Sequence, residues 1–129
     1  MRTSLPVSLH ADDMAILPPA LAQTLPAHWY TDPAFLQSDL SVVHEPQWQL
    51  IGHVSQLEHI GSHIIATVSG KPIFVVRGED QQLRGFYNVC QHRAGPIVRE
   101  NGCSRSLVCK YHGWTYGLDG QLRRTPEMD

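Results

Sequence analysis

Asn88-Val89-Cys90-Gln91-His92-Arg93 and Cys109-Lys110-Tyr111-His112-Gly113-Trp114 are the two stretches on which this chain's reading turns. They spell Cys-x-His, sixteen intervening residues, then Cys-x-x-His. Each stretch offers one thiolate and one imidazole. Two cysteines and two histidines suit a tetrahedral zinc ion, yet the usual zinc pattern groups its ligands by type. Here the types alternate. A mixed two-iron, two-sulfide cluster instead places one iron on two cysteines and the other on two histidines. Two facing loops, each with one Cys and one His, serve both irons of such a cluster. Gly95 and Gly113 follow the histidines by three residues and one residue. Glycine allows the tight backbone that turns amide N–H groups towards sulfides. The alternation favours the cluster. Zinc remains the competing centre, and four unrelated core residues the plain alternative.

Outward from these stretches the signal is β. Trp48 to Val54 reads as a strand, and His63 to Val68 as another, rich in β-branched residues. Ser69-Gly70-Lys71-Pro72 is a turn, and Ile73 to Arg77 returns to complete a hairpin. Gly78 to Gln82 turns again, before a strand over Leu83 to Val89. Leu107 to Cys109 and Trp114 to Gly117 are short strands. Leu118-Asp119-Gly120 is a tight turn, since Asp-Gly tolerates positive φ. Gly102-Cys103-Ser104 reads as a turn between the two metal segments. Upstream, Thr31 or Asp32 caps a short helix with Pro33 in its first turn, and Leu36, Leu40 and Val43 recur at helical spacing. The expected organisation is a Pro-rich arm over residues 1–30, a helix over 31–45 and a small antiparallel β-sandwich over 46–129.

Composition agrees. The chain has 129 residues, 42% hydrophobic and 17% charged, which suits one globular domain. A net charge of -2 leaves no basic stripe for nucleic acid. No run of about 18 apolar residues predicts a membrane span. The longest candidate, Met14 to Ala22, is broken by Pro18 and Pro19, and Asp12 and Asp13 spoil a signal peptide. Three cysteines is an odd number, unlike a secreted disulfide scaffold, so a cytoplasmic protein is expected.

The metal segments resemble those of ring-hydroxylating oxygenase large subunits, the Rieske non-haem iron oxygenase family of dioxygenases and monooxygenases. Trp48-Gln49-Leu50-Ile51-Gly52-His53-Val54, Pro72 to Arg77, Phe86-Tyr87-Asn88-Val89 and Gly117-Leu118-Asp119-Gly120-Gln121-Leu122 are similar to its phrasing. So are the helix after Asp32 and the end at Pro126 to Asp129. The likeness runs from Trp29 to Asp129. It implies a Rieske-type β-sandwich with two cluster-binding loops and a [2Fe–2S] cluster on Cys90, His92, Cys109 and His112. It also implies electrons arriving from a reductase or ferredoxin and leaving to a mononuclear iron, within a homo-oligomer that in the family is a trimer. Respiratory-chain Rieske proteins differ. They join their segments by a disulfide where this chain has Gly95 and Tyr111, and carry a serine where it has Trp114. Fewer donors to the sulfurs imply a potential near the low end of the Rieske range, about -150 mV.

The family's catalytic iron binds two His and a carboxylate in a larger C-terminal domain. This sequence runs seventeen residues past His112, and that domain is not expected in it. The acceptor iron would come from another chain or another part of a longer one. Among the other histidines (His10, His28, His44, His53, His59 and His63), only His59 and His63 have a suggestive spacing. Gly61 between them argues against a metal pair. Cys103 reads as a free thiol. Arg93 and Lys110 either offset the cluster's charge, meet an acidic partner or are plain solvated charges. Tyr111, Trp114 and Tyr116 shield the cluster or simply fill the core. A freestanding Rieske ferredoxin and a zinc-stabilised binding module are the competing functions. The long stretch before the first strand favours the oxygenase.

Overall fold

A computed structural model describes Val7 and residues 14–126. Twelve residues of the Pro-rich arm, His10 among them, and the last three residues of the chain lie outside the described part. The chain divides into two units between Gln49 and Leu50.

The first unit is helical. A 3-10 turn at Pro19–Leu21 precedes α1 (His28–Thr31) and α2 (Pro33–Ser38), and α2 runs on as a π turn over Asp39–His44. Pro33 forces Asp32 into extended backbone, which separates the two helices. The Asp32 carboxylate then accepts from the Ala34 N–H at 2.9 Å, a helix cap. Phe35 is buried, with the Trp29 ring stacked on it at 5.4 Å and the His28 ring edge-on at 5.5 Å. Leu36 and Val43 of the expected apolar stripe are exposed instead.

The second unit is a β-sandwich. One sheet has the order β3-β2-β1-β4, formed by β1 (Ser62–Val68), β2 (Lys71–Arg77), β3 (Leu83–Tyr87) and β4 (Gly102–Cys103). The other has the order β5-β6-β7, from β5 (Leu107–Val108), β6 (Thr115–Tyr116) and β7 (Leu122–Arg124). All pairings are antiparallel. β1 and β2 join through Ser69 and Gly70 alone, with φ of 48° and 77°, a turn that matches the twist of the strands. The core takes Phe74 and Val76 from β2, Leu107 and Tyr116 from the second sheet, and Ile97, Val98 and Leu118 from the loops. Both metal-segment cysteines belong to this core.

Two expectations need correction. Trp48 to Val54 is not a strand. Residues 48–53 belong to no helix or strand and are followed by a 3-10 turn at Val54–Leu57. Gln56 accepts from the His53 N–H at 2.7 Å, and Ser55 N–H donates to His53 Nδ1 at 3.2 Å, which starts the turn. Trp48 and Leu50 are almost fully exposed, so their alternation reports no buried face. Gly102 and Cys103 form a strand rather than a turn, paired with His63 and Ser62.

Candidate metal centre

The two metal segments form loops at one end of the sandwich, and the loops share a backbone. In loop one Cys90 N–H donates to the Gly95 carbonyl at 2.8 Å, and Ala94 N–H donates back to the Cys90 carbonyl at 2.9 Å. In loop two Cys109 N–H donates to the Trp114 carbonyl at 2.9 Å, and Gly113 N–H donates to the Cys109 carbonyl at 2.9 Å. The residue four after each cysteine has positive φ, 54° at Ala94 and 73° at Gly113. Each cysteine thus opens a closed turn that fixes its side-chain direction.

The four candidate ligands come together around one small recess, with Arg93, Gly95, Tyr111 and Trp114 as its other walls. Cys90 and Cys109 are buried, His92 is half-buried and His112 is exposed. The donors therefore run from thiols inside to imidazoles outside. The His92 and His112 rings lie 4.7 Å apart. Trp114 stacks on His92 at 4.9 Å with 7° between planes, and Tyr111 stacks on His112 at 4.0 Å. The loops lie close at Gly95, where an added Cβ would make ordinary contacts 3.4 Å from the Tyr111 ring and 3.8 Å from Cys109 Sγ.

The donor chemistry fits a metal cluster. His92 Nδ1 is buried without a hydrogen-bond partner. A buried polar atom left unpaired costs about 1–3 kcal/mol, which a metal bond would offset. Burial, then the charges of His112 and Arg93, lower the His92 pKa, which favours the neutral ring a metal needs. Burial raises the Cys90 thiol, but the Tyr116 hydroxyl, the His92 and Arg93 N–H groups and the Cys109 thiol outweigh it, so its pKa falls. Thiolate is the ligand form. Among the described residues no three His, Cys, Asp or Glu side chains surround one common point for a single ion.

Tyr116 is the functional residue whose role the sequence left open. Its hydroxyl lies 3.2 Å from Cys90 Sγ and accepts from Gln91 N–H at 2.9 Å. With its oxygen taken by Gln91, its proton is free to go to the sulfur. Burial and the Cys90 bond push its pKa up to about 12, so it stays a donor at neutral pH. Asn88 was also unread. It is buried, donates to the Val98 carbonyl at 2.7 Å and accepts from Ile97 and Val98 N–H at 2.9 and 3.0 Å, closing the base of loop one. A buried amide just before the cysteine was the available signal.

The other candidates lie elsewhere. His63 is buried in β1, with Nδ1 on the Gly61 carbonyl at 2.9 Å, while His59 is exposed. Cys103 is a free, exposed thiol whose Sγ reaches the Ile60 carbonyl at 3.4 Å. Among the described residues no helix is long and apolar enough to cross a membrane.

Known proteins are similar to this chain in sequence and in fold. The chain is 36% identical over 108 residues to chloroplastic choline monooxygenase of Beta vulgaris, covering 84% of this chain and 24% of that enzyme. The apo form of the quaternary ammonium Rieske monooxygenase CntA superimposes with a TM-score of 0.76 and 32% identity, over 81% of this chain and 31% of that one. Another structure of a quaternary ammonium Rieske monooxygenase, reported with inter-subunit electron transfer, gives a TM-score of 0.70 and 32% identity over 79% and 28%. The chain thus spans about a quarter of the length of the curated relatives it matches. The family model of the Rieske [2Fe–2S] domain matches residues 47–129, and the chain belongs to that family, whose cofactor is a Rieske-type iron–sulfur cluster.

Proposed function

We propose that this chain passes single electrons through a [2Fe–2S] cluster held by Cys90, Cys109, His92 and His112, as the Rieske part of an oxygenase large subunit. The observation that carries the ligand assignment is the buried, unpaired Nδ1 of His92, facing a recess walled by two buried thiols and a second imidazole. When bound, such a cluster supplies reversible one-electron chemistry. The chain's own residues do the rest. The two closed turns aim Cys90 and Cys109 inward. Trp114 covers the face of His92 and keeps water from it. His112, exposed beneath Tyr111, presents the edge through which an electron leaves. Tyr116 donates a hydrogen bond from its hydroxyl to Cys90 Sγ.

The donor is a reductase or ferredoxin, and the acceptor is a mononuclear iron in a catalytic domain or neighbouring subunit. Inter-subunit electron transfer in a matched monooxygenase supports the second half of this reading. A homo-oligomer, a trimer by family resemblance, belongs to the same proposal. Residues 46–129 form the Rieske domain, which follows α1, α2 and the π turn in the chain. The exposed free thiol of Cys103 supports a reducing compartment such as the cytoplasm.

The test is the electron paramagnetic resonance spectrum of anaerobically purified, dithionite-reduced protein. A rhombic signal with the lowered average g of a His-ligated cluster is expected. Its midpoint potential should fall as pH rises into the alkaline range, because oxidised iron acidifies the free imidazole N–H groups. A silent spectrum from protein holding one zinc and no sulfide would refute the assignment.

A further inference from the structure

The sandwich holds a second hollow, of about 480 Å3, behind the Tyr116 ring. Its floor is Phe74, Leu107, Ile97 and Tyr116, all buried. Half-buried Phe86 and Val89 and exposed Tyr87 and Gln91 line its outer part. Protein interiors are close-packed, and voids much larger than a water molecule are few. Water gains little in an apolar hollow, whereas an apolar molecule recovers the missing dispersion contacts. The volume lies in the range of small-molecule sites.

We propose that this hollow binds a small uncharged aromatic molecule carrying one polar group. No charged side chain lines it, which excludes an ion as occupant. Phe74, Phe86, Tyr87 and Tyr116 offer ring faces and edges, which favour a ring between them. The Gln91 amide at the rim suits one hydroxyl or carbonyl. A larger hollow, of about 640 Å3, shows the contrast. Its walls are charged: Asp80 pairs with Arg84 and Asp119 with Arg123, each at 2.6 Å, and Glu79 and Arg105 stand beside them, so it suits a charged molecule rather than an apolar one. The Tyr116 ring is a wall of the aromatic site and its hydroxyl touches Cys90 Sγ. An occupant would therefore sit directly behind the metal centre.

The proposal does not rest on the cluster reading, because binding is measured directly. Isothermal titration calorimetry of the full chain with p-cresol should show one saturable site. Val89→Phe and Leu107→Phe, which each add bulk to the lining, should each weaken binding at least tenfold. Thermal unfolding identifies the variant that keeps its fold, and Val89 at the half-buried rim is the safer position. Benzoate, the same ring with a charge, should bind at least tenfold more weakly than p-cresol. A heat that never saturates up to the solubility of p-cresol overturns the site. So does equal affinity in a folded Val89→Phe variant, or benzoate binding as tightly as p-cresol.

Discussion

Loop one and loop two close with the same pair of hydrogen bonds from cysteine to the fourth and fifth residues after it. Superimposed on that shared backbone, the side chains do not correspond. His92 is the second residue after its cysteine, where loop two has Tyr111. His112 is the third after its own, where loop one has Arg93. One step of register gives the two imidazoles different surroundings. His92 is half-buried, with the Trp114 ring 7° from parallel to it, and His112 is exposed beside Tyr111. A common turn therefore supplies the cysteine geometry, and the histidine offset supplies a sheltered and an open face. The hydroxyl of Tyr116 adds a further asymmetry, because it reaches the sulfur of loop one.

The harshest break removes a cysteine from either loop. Cys90→Ser and Cys109→Ser should each lower bound iron and sulfide at least tenfold, measured by metal analysis and acid-labile sulfide. Metal binding stabilises a fold that holds the site, so both variants should also unfold at lower temperature. If one cysteine proved dispensable, the loops would not be equal partners in the site.

Next comes the αL residue of loop two. Gly113 has φ of 73°, and an added Cβ would meet Pro126 Cγ at 3.3 Å. Left-handed backbone costs an L-residue about 1–2 kcal/mol. Gly113→Ala should lower the melting temperature by roughly 5–10 °C on the scale of a domain this small. Thermal unfolding followed by circular dichroism reads it directly.

Tyr116→Phe tests the sulfur asymmetry. A hydrogen bond donated to a thiolate stabilises the more negative, reduced cluster, so its loss should lower the midpoint potential. A difference of about 1 kcal/mol between oxidation states corresponds to about 40 mV for one electron. Protein-film voltammetry of the two proteins should show a fall of that order. A rise would mean that the hydroxyl does not donate to Cys90.

The contrast between loops also explains how much the sequence revealed. The alternating Cys and His pattern was legible because ligand chemistry demands particular residue types at short range. The strands beside it were legible too, since β1, β2 and β3 carry β-branched and aromatic residues between Gly-bearing turns. The Trp48 to Val54 strand failed because alternation says nothing about whether a partner strand is present, and Trp48 and Leu50 stand almost fully exposed. β4 itself has two residues, too few for any periodicity. The outward stripe of Leu36 and Val43 shows the same gap, since spacing predicts a helix but not what covers its face. Tyr116 bonds to residues 25 and 26 positions away, and no local pattern reports a contact at that distance.

Ala94 is the finest probe of the shared backbone. It occupies the position that Gly113 fills in loop two, yet it carries a Cβ at φ of 54°. The hydrogen bond from its N–H to the Cys90 carbonyl holds it there. Ala94→Gly removes the left-handed strain, worth about 1–2 kcal/mol. It also frees the unfolded chain, which returns about 0.4–1 kcal/mol of that gain. The expected outcome is a melting temperature unchanged or raised by a few degrees, with cluster content intact. The opposite substitution in loop two is destabilising, so the two changes should differ in sign or at least several-fold in size. Equal losses from both would mean that the loops share hydrogen bonds but not the strain that shapes them.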